Sequence, residues 1–385
     1  MMRKLWAYEI LFGVLALSGA LHSSPAFGTE RSVVPEADGA AIDVAICLDT
    51  SNSMDDVLDA ARLNLWEIVN DLATAQPTPR LRVALLSYGN SANERSAGWV
   101  RVETPLTEDL DLVSKRLFEL TTSTGADEYV GRVLQTALER LDWADSNEAM
   151  KLVFIGGNEA ADKDPLVDVF DLSREAIGRG VAINMIYFRA AGHIDASTWE
   201  EVARLGDGHF AVIEGRDDSV IAPTPFDREL AELGSQMNET YIPLGEAGRE
   251  AHQNQASQDQ NALSLDLAAA AARAEAKASP LYTCAWDLVD ALETGRMTLP
   301  KVDESELPEL LQQMTLEERE AYVEDMIYRR GELRLRIAEL SEKRRQYVAE
   351  QIEAQGLDES RSFDSVVRRA VREKAEEKGF YFPES

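Results

Sequence analysis

The feature that most limits the fold is an alternation of apolar, strand-like runs with helical segments. Ala41–Leu48, Arg80–Tyr88, Lys151–Ile155 and Val181–Phe188 are dense in Val, Ile, Leu and Ala, and His209–Ile213 is a shorter run of the same kind. Between them lie amphipathic segments: Asp56–Ala75, stopped by Pro77, then Asp109–Leu120, Tyr129–Trp143, Pro165–Arg179, Ser197–Leu205 and Phe226–Met237. A strand that is apolar on both sides must be covered on both, and strands separated by helices pair in parallel. The expected fold class is therefore α/β, a doubly wound, mostly parallel sheet over residues 41–245. Trp99–Thr104 alternates in polarity and is expected as an antiparallel edge strand. In such sheets ligands sit outside the carboxyl ends of the strands, at the point where strand order reverses.

Beyond Gly245 a helical C-terminal region, residues 246–385, is expected. Arg249–Lys277 is rich in Ala, Gln and Leu, Trp286–Leu292 reads as a short helix, and Gly295–Leu307, with Pro300, reads as a linker. A long helix over about 315–355 starts at Thr315, with Glu318 three residues on, and stops at Gly356. Phe363–Lys378 is a last helix, ended by Gly379 and followed by Phe380-Tyr381-Phe382. Within the long helix Met326, Leu333, Leu340, Tyr347 and Ala354 recur every seven residues, whereas the partner positions Val323, Arg330, Ile337, Arg344 and Gln351 are mixed. A half-polar stripe predicts packing in a helical hairpin rather than a long autonomous coiled coil.

The first 28 residues have the order of a secretory signal peptide: Arg3 and Lys4, an uncharged apolar run over Ile10–Leu21, then Ala26-Phe27-Gly28. The apolar run is shorter than the roughly 20 residues of a membrane-spanning helix, which disfavours an uncleaved anchor. No Cys stands near the cut, which argues against a lipid anchor. A bacterial exported protein, periplasmic or secreted, is expected, with 29–40 as a flexible lead-in. The 69 acidic against 39 basic residues give a net charge of −30. Such a surface repels phosphate backbones and offers no counterion release, so nucleic acid is excluded as a partner. Cys47 and Cys284 are expected to remain unpaired.

The chemistry concentrates at Asp49-Thr50-Ser51-Asn52-Ser53, between the first apolar run and its helix. Alternate residues there offer one carboxylate and two hydroxyls, the oxygen donors a hard divalent ion takes while leaving positions to water or a partner. With the Leu106-Thr107 segment and the strand Lys151–Ile155, this loop resembles the von Willebrand factor A family over about Ile42–Ile213. The resemblance implies a metal-ion-dependent adhesion site built from three loops at the top of the sheet. The implied cofactor is a divalent cation, Mg²⁺ first, with Mn²⁺ or Ca²⁺ as alternatives. The implied partner is a protein that completes the metal with an acidic side chain.

Two loops depart from the family pattern, in which the second loop gives a Thr after glycines and the third an Asp in a Thr-Asp-Gly triplet. Here the second loop is Thr124-Gly125-Ala126-Asp127-Glu128 and the third is Gly156-Gly157-Asn158-Glu159. The family acid falls on Gly157, and Asp127 falls on or near the Thr. The expected ligand set is Asp49, Ser51, Ser53 and Asp127, with Asp127 making up for the carboxylate lost from the third loop. Thr124 is the alternative ligand on another register, and Asn158 and Glu159 are further candidates to bind or support the ion. Asp162 and Asp164 are read as part of a solvated loop. The rival reading is a degenerate loop that binds no metal.

No catalytic residues are expected. His193, His209 and His252 form no zinc spacing, and neither a G-x-S-x-G elbow nor a G-x-x-x-x-G-K loop is present. Asp109 and Asp111 suit a helix N-terminus better than a glycosidase pair, and Trp99, Trp143 and Trp286 are expected to pack in cores. The expected function is a non-enzymatic, metal-dependent protein-binding module with no small-molecule cofactor. The alternatives are a structural envelope protein whose C-terminal helices make the contacts, and a metal-assisted hydrolase using Asp49 and Asp127. The hydrolase lacks any group placed to activate water.

Overall fold

The computed structural model describes residues 41–189, 192–213, 223–355 and 363–382, so the signal segment and lead-in lie outside the described residues. Its sheet runs, in spatial order, β3 (Arg101–Thr107), β2 (Arg80–Tyr88), β1 (Ala41–Asp49), β4 (Met150–Gly157), β5 (Val181–Tyr187) and β6 (Phe210–Val212). β3 is antiparallel to β2 and every other pair is parallel. The doubly wound α/β expectation and its antiparallel edge both hold. β1 is central because its alternate side chains serve two cores. Ile42, Val44 and Leu48 pack with α1 (Asp55–Ala73) and α2 (Leu110–Glu119). Ala45 and Cys47 pack with α3 (Val130–Arg140), α4 (Val169–Gly178) and α5 (Ala196–Leu205). The one acid inside this run, Asp43, is buried but bonded by Arg82 of β2 at 2.8 and 2.7 Å.

The chain passes from β1 to β2 on one side and reaches β4 on the other, so strand order reverses between β1 and β4. Register sets their carboxyl ends level: Asp49 lies opposite Tyr88, and Leu48 opposite Gly156. Helix starts follow from side-chain caps. Asp109 accepts the Leu112 amide at 2.9 Å, and Asp168 accepts the Phe170 amide at 2.9 Å. Asp111 takes its expected place in the first turn of α2, and there its carboxylate is buried and accepts from Arg273 at 2.8 Å and from the Tyr282 hydroxyl at 2.5 Å.

The later helices are α6 (Asp227–Met237), α7 (Gly245–Leu265), α8 (Leu267–Ala278), α9 (Leu288–Glu293), α10 (Glu309–Gln312), α11 (Leu316–Gln355) and α12 (Phe363–Glu377). The single helix expected over 249–277 is two, because Asp266 turns extended and its carboxylate caps α8 through the Ala269 amide at 2.7 Å. The expected linker instead holds short 3₁₀ turns at Leu299–Lys301 and Glu304–Glu306. Thr315 and Glu318 form the expected reciprocal cap, at 2.8 and 3.3 Å. Ala271, Ala272 and Ala276 of α8 join the core that covers one face of the sheet, and the described residues fall within one compact unit.

α11 does not fold back as a hairpin; it runs along α6 and α8 and past α9, while α12 lies along α1. The half-polar stripe is buried together with the apolar one: Val323, Arg330, Ile337 and Arg344 are inside, as are Met326 and Leu340. Each arginine meets acids. Arg330, 0% exposed, donates to Asp287 at 2.7 Å and Asp290 at 2.8 Å and lies 4.0 Å from the Tyr241 ring centre. Arg344 reaches Asp227 at 3.0 Å and Glu67 of α1 at 3.1 Å. Beyond α12, Gly379 adopts φ +83° and Tyr381 exchanges backbone hydrogen bonds with Gln76 at 2.9 and 2.8 Å. Cys47 and Cys284 are free and buried. Trp143 and Trp286 are half-buried against the cores, and Trp99 is half-buried at a positive φ of 62°.

Arg330→Ala would leave Asp287 buried without a counter-charge and Asp290 with only Arg334 at 3.7 Å, a loss of about 3–5 kcal/mol. Arg336, whose pair with Glu229 is exposed on both sides, should lose nothing measurable on the same change. Urea unfolding of the two variants checks the contrast, and similar midpoints for both would refute it.

Candidate metal centre

β1 ends at Asp49 and the chain turns through Thr50–Ser53 before α1. The Thr50 amide and hydroxyl both donate to the Tyr88 carbonyl, at 2.8 and 2.9 Å, and the Ser123 amide donates to the Thr50 carbonyl at 3.0 Å. The loop is thus fastened to the end of β2 on one side and to the α2–α3 connection on the other. Within it the Ser51 amide donates to Asp49 Oδ1 at 2.8 Å, and the Ser51 and Ser53 hydroxyls stand 3.3 Å apart. Asn158 Nδ2 donates to Ser53 Oγ at 2.9 Å. A continuous set of polar contacts therefore joins the end of β1 to the end of β4, across the switch point.

Asp49, Ser51, Ser53 and Asn158 come together as expected, but Asp127 does not join them. Asp127 is exposed and bonded to the Tyr129 hydroxyl, and Glu128, the next residue, faces Asp49 instead. A Cβ placed on Gly89, which has φ +71°, would lie 2.7 Å from Asp49 Oδ1 and 3.0 Å from Glu128 Cγ. Both acids close over that glycine, which has neither the room nor the backbone conformation for a side chain. Thr124 is exposed. Glu159 is turned to Lys163 at 2.8 Å and Arg189 at 3.6 Å. Asp164, read as solvated, is buried against Arg132 at 3.2 Å. Neighbouring residues of an extended segment point opposite ways, so a one-residue register decides which acid is turned inward. The apolar phase of α3, set by Val130, Val133, Leu134 and Ala137, is the sequence signal that bears on that register.

The third loop has no room for an acid at Gly157. A Cβ there would lie 2.3 Å from the Tyr88 hydroxyl and 2.9 Å from the Trp199 ring. Both groups are held: Tyr88 donates to the Gly156 carbonyl at 3.0 Å and Trp199 to the Glu159 carbonyl at 2.6 Å. The missing carboxylate is thus compensated in volume by two aromatic side chains.

Burial pushes the Asp49 carboxyl well above the usual carboxylate range, and the neighbouring Glu128 adds to this against hydrogen bonds from Ser51. Burial and the nearby Glu159 raise Glu128 as well, against Lys163 and Ser51. Asp49 Oδ2, Glu128 Oε2 and Asn158 Oδ1 are buried and lack hydrogen-bond partners. Unpartnered buried acceptors call for an explanation such as an ion. A divalent cation fits: it neutralises two facing carboxylates, and the donors are all oxygen, as hard cations require. Among the described residues no three His, Cys, Asp or Glu side chains gather as a metal-ligand group, so the cradle depends on neutral oxygens beside its two acids.

An open, doubly wound sheet with an oxygen-lined cradle at its switch point defines an α/β ligand-binding domain. Residues 43–217 match the model of the von Willebrand factor type A domain. Among solved structures it is similar to a mussel byssus protein, proximal thread matrix protein 1 with a zinc-occupied MIDAS motif. That match has 15% identity, covers 46% of this chain and 42% of that one, and has a TM-score of 0.34. It is also similar to the conserved hypothetical protein BatB from Bacteroides thetaiotaomicron, at 13% identity, covering 57% of this chain and 100% of that one, TM-score 0.36. The pilus adhesin SpaC from Lactobacillus rhamnosus GG matches at 12% identity, covering 46% and 28%, TM-score 0.36. The chain thus spans less than half the length of the byssus protein and the adhesin. No curated protein matches the sequence.

The raised carboxyls set a pH dependence for the metal-free protein. An acid whose folded pKa lies above its unfolded value opposes folding once it ionises. Its stabilising contribution is present below about pH 4, the ordinary carboxylate value, and is lost as pH rises through the raised value. In chelator, wild type should therefore fall behind Glu128→Gln in thermal stability as pH climbs from about 4 to 8. A gap that stays constant or narrows with pH would contradict this.

Proposed function

We propose that the protein is an exported, metal-dependent protein-binding module whose cation is completed by an acidic side chain of a partner. The observation that carries this reading is the fully buried Asp49 carboxylate, with one oxygen unpartnered, at the carboxyl edge of the sheet. Asp49, Ser51 and Ser53 would hold the ion, with Mg²⁺ as the first choice and Mn²⁺ or Ca²⁺ next. When bound, such an ion supplies a directional positive contact for a partner's carboxylate and keeps some positions open.

The surroundings support a macromolecular partner. Leu166 and Ile194 are 81% and 82% exposed, on the loops that follow β4 and β5 at the same edge. Uncovered apolar side chains beside a polar site are what an interface uses. Binding of this kind asks for no nucleophile and no general base, so we assign recognition rather than catalysis.

Pull-down from envelope extract with and without chelator, repeated with Asp49→Ala, tests the proposal. Capture should fall at least about tenfold in both cases, equivalent to about 1.4 kcal/mol. Capture that ignores chelator and substitution alike would favour a structural role for the helical region instead.

A further inference from the structure

We infer that Glu128 and Asn158 are metal ligands, taking over from the acid that Gly157 cannot carry. The ion would then be held by Asp49, Glu128, the amide oxygen of Asn158 and the hydroxyls of Ser51 and Ser53. This rests on the metal-binding reading above and assigns ligands that reading does not contain.

Three observations converge on it. The first is the set of orphaned oxygens: Asp49 Oδ2, Glu128 Oε2 and Asn158 Oδ1 are buried and without hydrogen bonds. Asp49 is 0% and Asn158 5% exposed, so water does not compensate either group. The second is orientation. Asn158 commits its Nδ2 to Ser53 Oγ at 2.9 Å, which leaves the oxygen end of the amide unused. Asp49 commits Oδ1 to the Ser51 amide at 2.8 Å, which leaves Oδ2 unused. Each contact ties one end of a side chain to the loop and releases the other as a donor to an ion.

The third observation is the engagement of three neighbouring acids. Glu159 is paired with Lys163 and Arg189. Asp164 is paired with Arg132 and accepts the Leu166 amide at 2.9 Å. Asp127 is bonded to Tyr129. Glu128 is the acid that borders the cradle with an oxygen to spare, and its extra methylene relative to Asp lengthens its reach from the second loop. Two carboxylates, one amide oxygen and two hydroxyls form a hard donor set, suited to Mg²⁺, Mn²⁺ or Ca²⁺.

The test is direct metal binding, with no partner required. Wild type, Asp127→Asn, Glu128→Gln and Asn158→Leu are titrated with MgCl₂, MnCl₂ and CaCl₂ by calorimetry and by thermal shift. Circular dichroism without metal confirms that each variant is folded. Asp127→Asn should bind as wild type does, while Glu128→Gln and Asn158→Leu should each bind at least about tenfold more weakly. Asn158→Asp should retain binding, since it keeps an oxygen at that position. Wild-type affinity in Glu128→Gln, or its loss in Asp127→Asn, would overturn the assignment of Glu128 while leaving metal binding itself intact. Absence of heat and thermal shift in wild type at millimolar metal would overturn both the assignment and the function proposed above.

Discussion

A carboxylate is buried at the end of the central strand, and the upper edge of the molecule is arranged around it. Removing an ionised carboxylate from water costs several kcal/mol unless hydrogen bonds or charge replace the lost hydration. The Ser51 amide replaces part of it for Asp49, and Glu128 makes the remainder worse by adding like charge. Among the described residues no arginine or lysine bonds Asp49, in contrast to Asp43 six residues earlier on the same strand, which Arg82 satisfies at both oxygens. The same strand thus carries one acid matched for stability and one left unmatched at the switch point. Unmatched, facing acids at a cleft are the pattern expected where an ion or ligand completes the charge.

The buried cations of α8 and α11 are matched, and the matching helps fix where the C-terminal helices go. Arg273 of α8 joins Asp111 of α2 to Asp259 of α7, at 2.8 and 2.5 Å, and its guanidinium lies 4.6 Å from the Trp66 ring centre on α1. Lys277, one turn later, bonds Asp259, Asn238 and the Gly234 carbonyl. Arg330 and Arg344 repeat the device along α11. Hydrophobic burial alone would let α8 and α11 slide along the sheet's cover, since Ala-rich surfaces offer little shape to resist it. Charged forks with fixed partners admit one register, at a desolvation cost that offsets much of their attraction.

This explains which parts of the molecule are legible in the sequence. The strands were readable because a β-run buried on both faces has almost no polar residues to spare, and the edge strand because it alone alternates. The first loop was readable because its three donors are local. The second was not: Asp127 and Glu128 are both acids in a segment without secondary structure, and packing of α3 selects the one turned inward. The burial of Asp111 and of the α11 arginines is not legible for a related reason. A charged residue at a helical position reads as solvent-facing until its partner, more than 100 residues away for Arg273 and Asp111, is known. The filled space at Gly157 had no local trace either, since Tyr88 and Trp199 come from other elements.

The two kinds of buried charge are physically connected through α2. Its first turn carries Asp111, clamped by Arg273 and Tyr282 from the helical region. The segment after its last turn is bonded at Thr121 by Asn90, at 2.8 Å, and at Ser123 by contacts to Thr50 and Asn90, at 3.0 Å each. That segment leads directly into the stretch that carries Glu128. Contiguity alone does not make coupling, which requires two discrete arrangements with different affinities for the ion. The clamp at Asp111 removes freedom from one end of α2, its apolar face packs on the sheet, and the bonds at Thr121 and Ser123 restrain the other end. Held at both ends, α2 fixes where the segment that carries Glu128 begins, and so links the buried ion pair at Asp111 to the loop that bears Asp49.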